Sequence, residues 1–170
     1  MSDGMIDWSG SYLDEISTFD MYRILKARQD VFVVEQNCVY QDMDSIDQYA
    51  WHLCAWQKKS RESELEKAEK TLMAYLRVVF PGHKYAEPSI GRVLTTQEAR
   101  GTGLGKQLLE RALLYIDQKY PHQHVRISAQ SHLHQFYAAF SFVSVSEPYD
   151  EDGIPHVEML RRAPGLVGQQ

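Results

Sequence analysis

At 170 residues with 44% hydrophobic side chains, the chain is long enough to bury a full core as one domain and has the composition of an ordinary soluble protein. A formal net charge of −5 removes the basic face that sequence-independent nucleic-acid binding needs. No apolar run approaches the roughly 18 residues of a membrane span, Met1–Gly10 lacks the basic and apolar regions of a secretion signal, and the two cysteines, Cys38 and Cys54, are expected as reduced thiols in a cytoplasmic protein.

Met5–Leu13 reads as a short first strand with a turn signal at Ser9-Gly10-Ser11. Phe19–Val33 carries a helical stripe of Phe19, Ile24, Ala27 and Val31, with Arg23, Lys26, Arg28 and Gln29 mostly opposite, and the pattern stops over Val33–Asn37. Gln41–Gln48 is an acidic loop. Its Asp42, Asp44 and Asp47 do not match a calcium loop, which would need an oxygen ligand at Ile46, glycine at Asp47 and glutamate at Leu53. Ala50–Gln57 and Thr71–Phe80 read as strands, joined by the almost wholly charged, solvated Lys58–Lys70.

Pro81-Gly82 marks a turn, and Pro88 leads into an extended run over Ile90–Thr95. Gly103–Lys119 is a helix whose buried face is Leu104, Leu108, Leu109, Ala112, Leu113 and Ile116, with Pro121 stopping the chain beyond it. Val125–Gln130 reads as a strand and Ser131–Phe140 as a helix. Phe142–Ser146 and His156–Leu160 read as closing strands, separated by the turn-rich Glu147–Pro155. A domain over residues 1–162 and a loose tail over 163–170 complete the reading. Antiparallel strands leading into one strand–helix–strand crossover predict an α/β protein, with a mixed sheet covered by helices on both faces.

The stretch that carries chemistry is Arg100-Gly101-Thr102-Gly103-Leu104-Gly105-Lys106, between the extended run and the long helix. Alternate glycines at the mouth of a helix leave the first amides uncovered. Together with the positive end of the helix dipole they make a site for phosphate oxygens. A Walker loop fails, because Arg100 stands where its first glycine belongs and Gln107 follows the lysine. A dinucleotide fingerprint fails too, since Lys106 replaces its third glycine and Val125–Gln130 holds no carboxylate for a ribose. The pattern [QR]-x-x-G-x-[GA], met by Arg100, Gly103 and Gly105, does fit.

That loop resembles the acetyl-CoA loop of the GNAT (GCN5-related N-acetyltransferase) superfamily, and the predicted element order is similar to its fold. RQDVFVVEQNCVYQDMDSIDQYAWHL, SHLHQFYAAFSF and YDEDGIPHVEM look like the ElaA branch, so the resemblance covers roughly Asp7 to Arg161. It implies that Val93, Leu94 and Thr95 bond the pantetheine arm of acetyl-CoA through their main chains. It implies also that Arg100, Gly101, Thr102, Gly103, Leu104, Gly105 and Lys106 hold the pyrophosphate, and that Tyr137, five residues before Phe142, lies beside the coenzyme sulfur. Ser141 and Ala129-Gln130 depart from residues common in the family, in turn geometry and in a coenzyme contact respectively.

Acetyl transfer to an amine needs the reactants held together, a neutral amine, a donor for the developing oxyanion and an acid for the departing thiolate. Tyr137 is the candidate acid, though Leu133, Phe136, Tyr137 and Phe140 also form a core stripe. Leu94 N–H is the candidate oxyanion donor. Glu35 is the candidate base or amine anchor, or else a solvated or salt-bridged carboxylate; His52 and His156 are candidate substrate contacts, or else half-buried structural histidines. Arg92 reads equally as a coenzyme contact or a solvent-side residue, and Trp51 and Trp56 as core or cleft wall. The pairs His122/His124 and His132/His134 do not complete a metal set, so no metal is expected.

The expected activity is acetyl-CoA-dependent N-acetyl transfer, made directly to a primary amine of a small-molecule or protein/peptide acceptor in the cytoplasm. No nucleic acid or membrane partner is expected, and homodimerisation is left open. Two alternatives stay open: a longer-chain acyltransferase such as an acyl-homoserine-lactone synthase, and a non-catalytic acyl-CoA-binding regulatory module.

Overall fold

The computed structural model describes residues 5–58 and 69–165. Eight strands form one sheet: β1 (Ile6–Tyr12), β2 (Ala50–Lys58), β3 (Lys70–Val79), β4 (Ser89–Thr95), β5 (Val125–Gln130), β6 (Phe142–Ser144), β7 (Tyr149–Glu151) and β8 (Ile154–Arg161). Their order is β1-β2-β3-β4-β5-β8-β6, with β7 paired to β8. Every ladder is antiparallel except β4–β5.

Helices cover both faces because the central strands are buried on both sides. The helix α1 (Thr18–Arg28) lies over Cys54, Trp56, Leu72, Tyr75 and Leu94 through Ile24, with Ala27 packed alongside. On the opposite face α2 (Leu104–Lys119) sets Leu104, Leu108, Leu109, Ala112, Leu113 and Ile116 against Leu53, Ala55, Ala74, Leu76, Val78 and Ile90. Cys54 against Leu53 and Ala55 shows the period-2 alternation dividing one strand between two cores. Trp56 is therefore core, whereas Trp51 stacks on Tyr115 at 3.8 Å between ring centroids.

Several boundaries differ from the sequence reading. Gly10 sits inside β1, opposite Leu53, and makes no turn there. A Cβ on it would lie 2.0 Å from Trp51 Cζ2, so the glycine is there for the indole. Beyond Arg28 the first helix widens into a π-type turn over Gln29–Glu35, and the third predicted helix narrows to a short α3 (His134–Ala138) behind a 3₁₀ turn. The turn-rich Glu147–Pro155 contains β7, a hairpin strand too short to show a period. Ala163, placed at the start of the tail, is 1% exposed and donates its N–H to His124 Nδ1 at 3.0 Å. The rest of the predicted tail from residue 166, and residues 59–68 of the charged connection, lie outside the described residues.

Candidate active site

The sheet opens between β4 and β5. These parallel neighbours meet only at Ser89 and Arg126, where Arg126 N–H bonds Pro88 O at 3.2 Å; from there they run on without a ladder to Thr95 and Gln130. A parallel strand that leaves its partner exposes a row of unpaired main-chain groups. The resulting cleft has a volume of about 260 Å³ and includes Val93, Leu94, Thr95 and Arg100 on one side and Ser128, Gln130 and Tyr137 on the other.

A bulge shapes the β4 wall. Tyr75 pairs with Leu94 and Arg77 with Gly91, so Leu76 alone faces both Arg92 and Val93. Arg92 takes a φ of 53°, a left-handed conformation costly for a residue that carries a Cβ. Past the bulge, Thr96 N–H bonds Met73 O at 2.9 Å. Antiparallel alternation then turns the Leu94 amide toward Tyr75 and those of Val93 and Thr95 toward the open edge. The expected oxyanion donor is corrected accordingly: the Leu94 amide belongs to the ladder, and Val93 offers the free one.

The glycine loop closes one end of the cleft. Gly103 caps α2 with a φ of 84°, Gly101 has 77°, and a Cβ on either would project into open space. Both positions thus need glycine for backbone conformation. The first bond back from the helix joins Gln107 N–H to Gly103 O at 3.2 Å, which leaves the amides of Leu104, Gly105 and Lys106 as helix-terminal donors. No acidic side chain occupies the first turn of α2 to compete for them. This cradle, running from free amides on β4 to free amides on α2, fits the extended pantetheine and diphosphate of an acyl-CoA.

The predicted side chains divide. Tyr137, from α3, lines the cleft while only 6% exposed, and touches Phe136 and Phe142 edge to face at 5.1 and 6.0 Å. Burial alone pushes its phenol well above the usual tyrosine range, keeping it protonated as a donor. His156 also lines the cleft, half-buried and stacked on Tyr149, with Nδ1 2.8 Å from Ile154 O. A carbonyl only accepts, so the proton of the neutral ring is on Nδ1 and Nε2 keeps its lone pair.

Glu35 and His52 are corrected. Glu35 lies on the rim and holds Arg100 Nη2 at 2.6 Å, so its carboxylate is engaged at the glycine-loop end of the cleft. His52 is 1% exposed: its Nε2–H donates to Asp47 O at 2.9 Å and its Nδ1 accepts from Tyr75 O–H at 2.8 Å. Desolvation lowers its pKa, which keeps it a neutral structural link. The metal-suggestive pairs also separate: His124 serves Ala163, His134 Nε2 meets Ser144 Oγ at 3.0 Å, and His132 lines the cleft.

The acidic loop behaves otherwise than its composition suggests. Asp42 bridges Arg28 Nε and Arg92 Nε at 2.7 Å each, while Asp47 Oδ1 joins Arg28 Nη1 at 2.7 Å to Arg77 Nη1 at 2.8 Å. Asp44 pairs with Arg77 as well. Arg28 and Arg77 are 0% and 1% exposed, so the loop is a plug of counter-ions for two buried guanidiniums and for the β4 bulge. Burial, the largest single influence, pushes Asp44 and Asp47 up, yet the arginine hydrogen bonds and charges together hold both below the ordinary aspartate range. Sequence reading missed this pairing because the partners come from α1, β3 and β4. It missed Gln36, Lys84, Ser128 and Glu151 as cleft residues for the same reason.

A family model described as an acetyltransferase (GNAT) domain matches residues 34–162. The chain belongs to the GNAT acetyltransferase family. Within it the chain is 36% identical over 159 residues to protein ElaA of Escherichia coli (strain K12), covering 92% of this chain and 97% of ElaA. The crystal structure of Escherichia coli ElaA superposes with a TM-score of 0.79 at 35% identity, over 93% of this chain and 100% of that one. An acyl-CoA N-acyltransferase from Pseudomonas aeruginosa does so at 0.80 with 38% identity, over 92% and 99%. At 8% identity, an aminoglycoside 6'-N-acetyltransferase complexed with coenzyme A shares the GNAT fold alone, with a TM-score of 0.62. The protein thus has the GNAT fold and sits in the ElaA-like branch of the family. No described helix is long and apolar enough to cross a membrane, and among the described residues no cluster of His, Cys, Asp and Glu is suited to a metal.

Proposed function

We propose that this GNAT protein transfers acetyl from acetyl-CoA directly to a primary amine. The observation that carries the reading is the continuous main-chain cradle: Val93 and Thr95 on the free edge of β4, then Gly101–Lys106, ending beside a buried, protonated Tyr137. When bound, acetyl-CoA supplies a thioester whose acetyl–sulfur bond is exchanged for an amide bond to the acceptor nitrogen, releasing the coenzyme thiol.

The protein residues supply the rest. Free amides at the start of α2, with the dipole behind them, hold the diphosphate, and Arg100 swings between Glu35 and that anion. The Val93 amide, held by the bulge, takes up negative charge on the carbonyl oxygen. Nε2 of His156 accepts the proton that the amine must lose, and Tyr137 O–H delivers one to the leaving sulfur. No protein nucleophile is required, and neither thiol is suited to the role: both cysteines are free and buried, and burial pushes Cys54 up to about 12. The two free thiols also support residence in a reducing compartment, the cytoplasm.

Calorimetric titration of acetyl-CoA, followed by a free-thiol release assay against an amine panel, tests the reading. Tight coenzyme binding with amine-dependent release is expected. Binding without turnover on any amine would instead favour a regulatory acyl-CoA module, and faster release from longer acyl-CoAs would favour the longer-chain reading.

A further inference from the structure

The net negative charge of the chain suggests a cationic acceptor drawn to the acidic loop, but the structure removes that attraction. Asp42, Asp44 and Asp47 are all spent on Arg28, Arg77 and Arg92. The charged groups left in the cleft are of both signs. Arg100 is matched by Glu35 at the glycine-loop end. Away from that loop stand Lys84, Arg92, Glu151 and Asp152.

Lys84 reaches the cleft from the turn before β4 and, among the described residues, has no carboxylate within ion-pair distance; the Tyr85 ring lies 5.6 Å from its Nζ. Arg92 spends Nε and Nη2 on Asp42 and Asp44, while Nη1 has no partner among the described residues. Lys84, Arg92 and Glu151 all line this one cleft. Glu151 is oriented by Ser128 Oγ at 3.0 Å on the side where His156 lies. The cleft away from the glycine loop therefore offers the Lys84 ammonium and the free Arg92 Nη1 as donors, together with the carboxylates of Glu151 and Asp152 and the His156 ring.

Resting on the acetyltransferase reading above, we propose that the acceptor is a small amine that also bears a carboxylate, an amino-acid-like zwitterion, with its carboxylate between Lys84 and Arg92 and its amine beside Glu151 and His156. An anion there gives Lys84 the counter-ion it lacks among the described residues and adds charge-assisted hydrogen bonds from Nζ and from Arg92 Nη1. Glu151 attracts the ammonium form, and His156 then takes its proton.

The test uses the full chain with acetyl-CoA, measuring thiol release and acetylated product by mass spectrometry. Three acceptor sets are compared: the proteinogenic amino acids, their matching carboxamides, and amines without a carboxylate, including diamines and lysine-containing peptides. Amino acids should outperform their carboxamides by about tenfold or more in kcat/KM, and Lys84→Met should shrink that ratio to near one through KM while leaving acetyl-CoA affinity unchanged. Equal or better turnover of carboxamides, diamines or peptides overturns the proposal. So does coenzyme binding with no turnover of any amino acid, and so does a ratio that survives Lys84→Met. Loss of acetyl-CoA binding by the wild-type chain would instead defeat the underlying acetyltransferase reading, so the two failures are distinct.

Discussion

Replacing Asp47 with alanine tests whether the acidic loop is structural. Among the described residues its Oδ1 is the only atom shared by Arg28 and Arg77, at 2.7 and 2.8 Å, and both guanidiniums are essentially buried. After the substitution Arg28 retains Asp42, and Arg77 retains Asp44 but already carries an unpartnered Nε. Breaking a buried ion pair costs about 3–5 kcal/mol, and the retained carboxylates put Asp47→Ala near the lower end, about 3 kcal/mol. Against a total stability of about 5–15 kcal/mol this is a large share, equivalent to a fall in Tm of roughly 6–12 °C for a chain of this size. Urea unfolding and calorimetry, with Asp30→Ala at the exposed Lys26 pair as a control expected to change nothing, measure it. The sign with pH follows from the direction of the shifts. Asp44 and Asp47 are held below their unfolded pKa, so their contribution is complete above about pH 4–5 and is lost as pH falls from there toward the folded pKa. Asp47→Asn should flatten the acid side of the stability profile. A loss under about 1 kcal/mol for Asp47→Ala, or an unchanged acid limb for Asp47→Asn, would refute the reasoning.

Gly103→Val forces a β-branched residue to a φ of 84° at the mouth of α2 and should cost about 1–2 kcal/mol of stability. Acetyl-CoA affinity should fall with it, while Gly82→Ala, at a φ of 85° in the turn after β3, should cost stability without weakening coenzyme binding. Tyr137→Phe should lower kcat and leave coenzyme affinity intact, since the ring packing against Phe136 and Phe142 is kept; unchanged turnover would leave only a packing role. His156→Ala should lower kcat/KM by roughly 10²–10⁴ with the fold preserved, the usual contribution of a general base. Gly10→Ala should destabilise by about 1–3 kcal/mol through overpacking against Trp51, and should leave coenzyme affinity alone.

What the sequence determined by itself is what local physics encodes. The α2 stripe of Leu104, Leu108, Leu109, Ala112, Leu113 and Ile116 is buried as its 3.6-residue period dictates. The succession of the longer strands along the chain was legible from their β-branched and aromatic runs, though β7 was not, and the glycines of the loop were legible because only a residue without Cβ takes those φ values readily. Tertiary structure alone decided the charges. Whether Asp42 serves a ligand or Arg92 depends on a β-bulge fifty positions away along the chain. Whether a histidine is buried against Tyr75, as His52 is, or set in the cleft, as His156 is, depends on which strand faces which opening. The Leu94 amide was misassigned from sequence because ladder alternation is set by pairing with β3 and carries no mark in the residue itself. Periodicity is written into neighbouring residues, whereas electrostatic pairing and amide direction are properties of contacts between distant ones, so they exist only once the chain has folded.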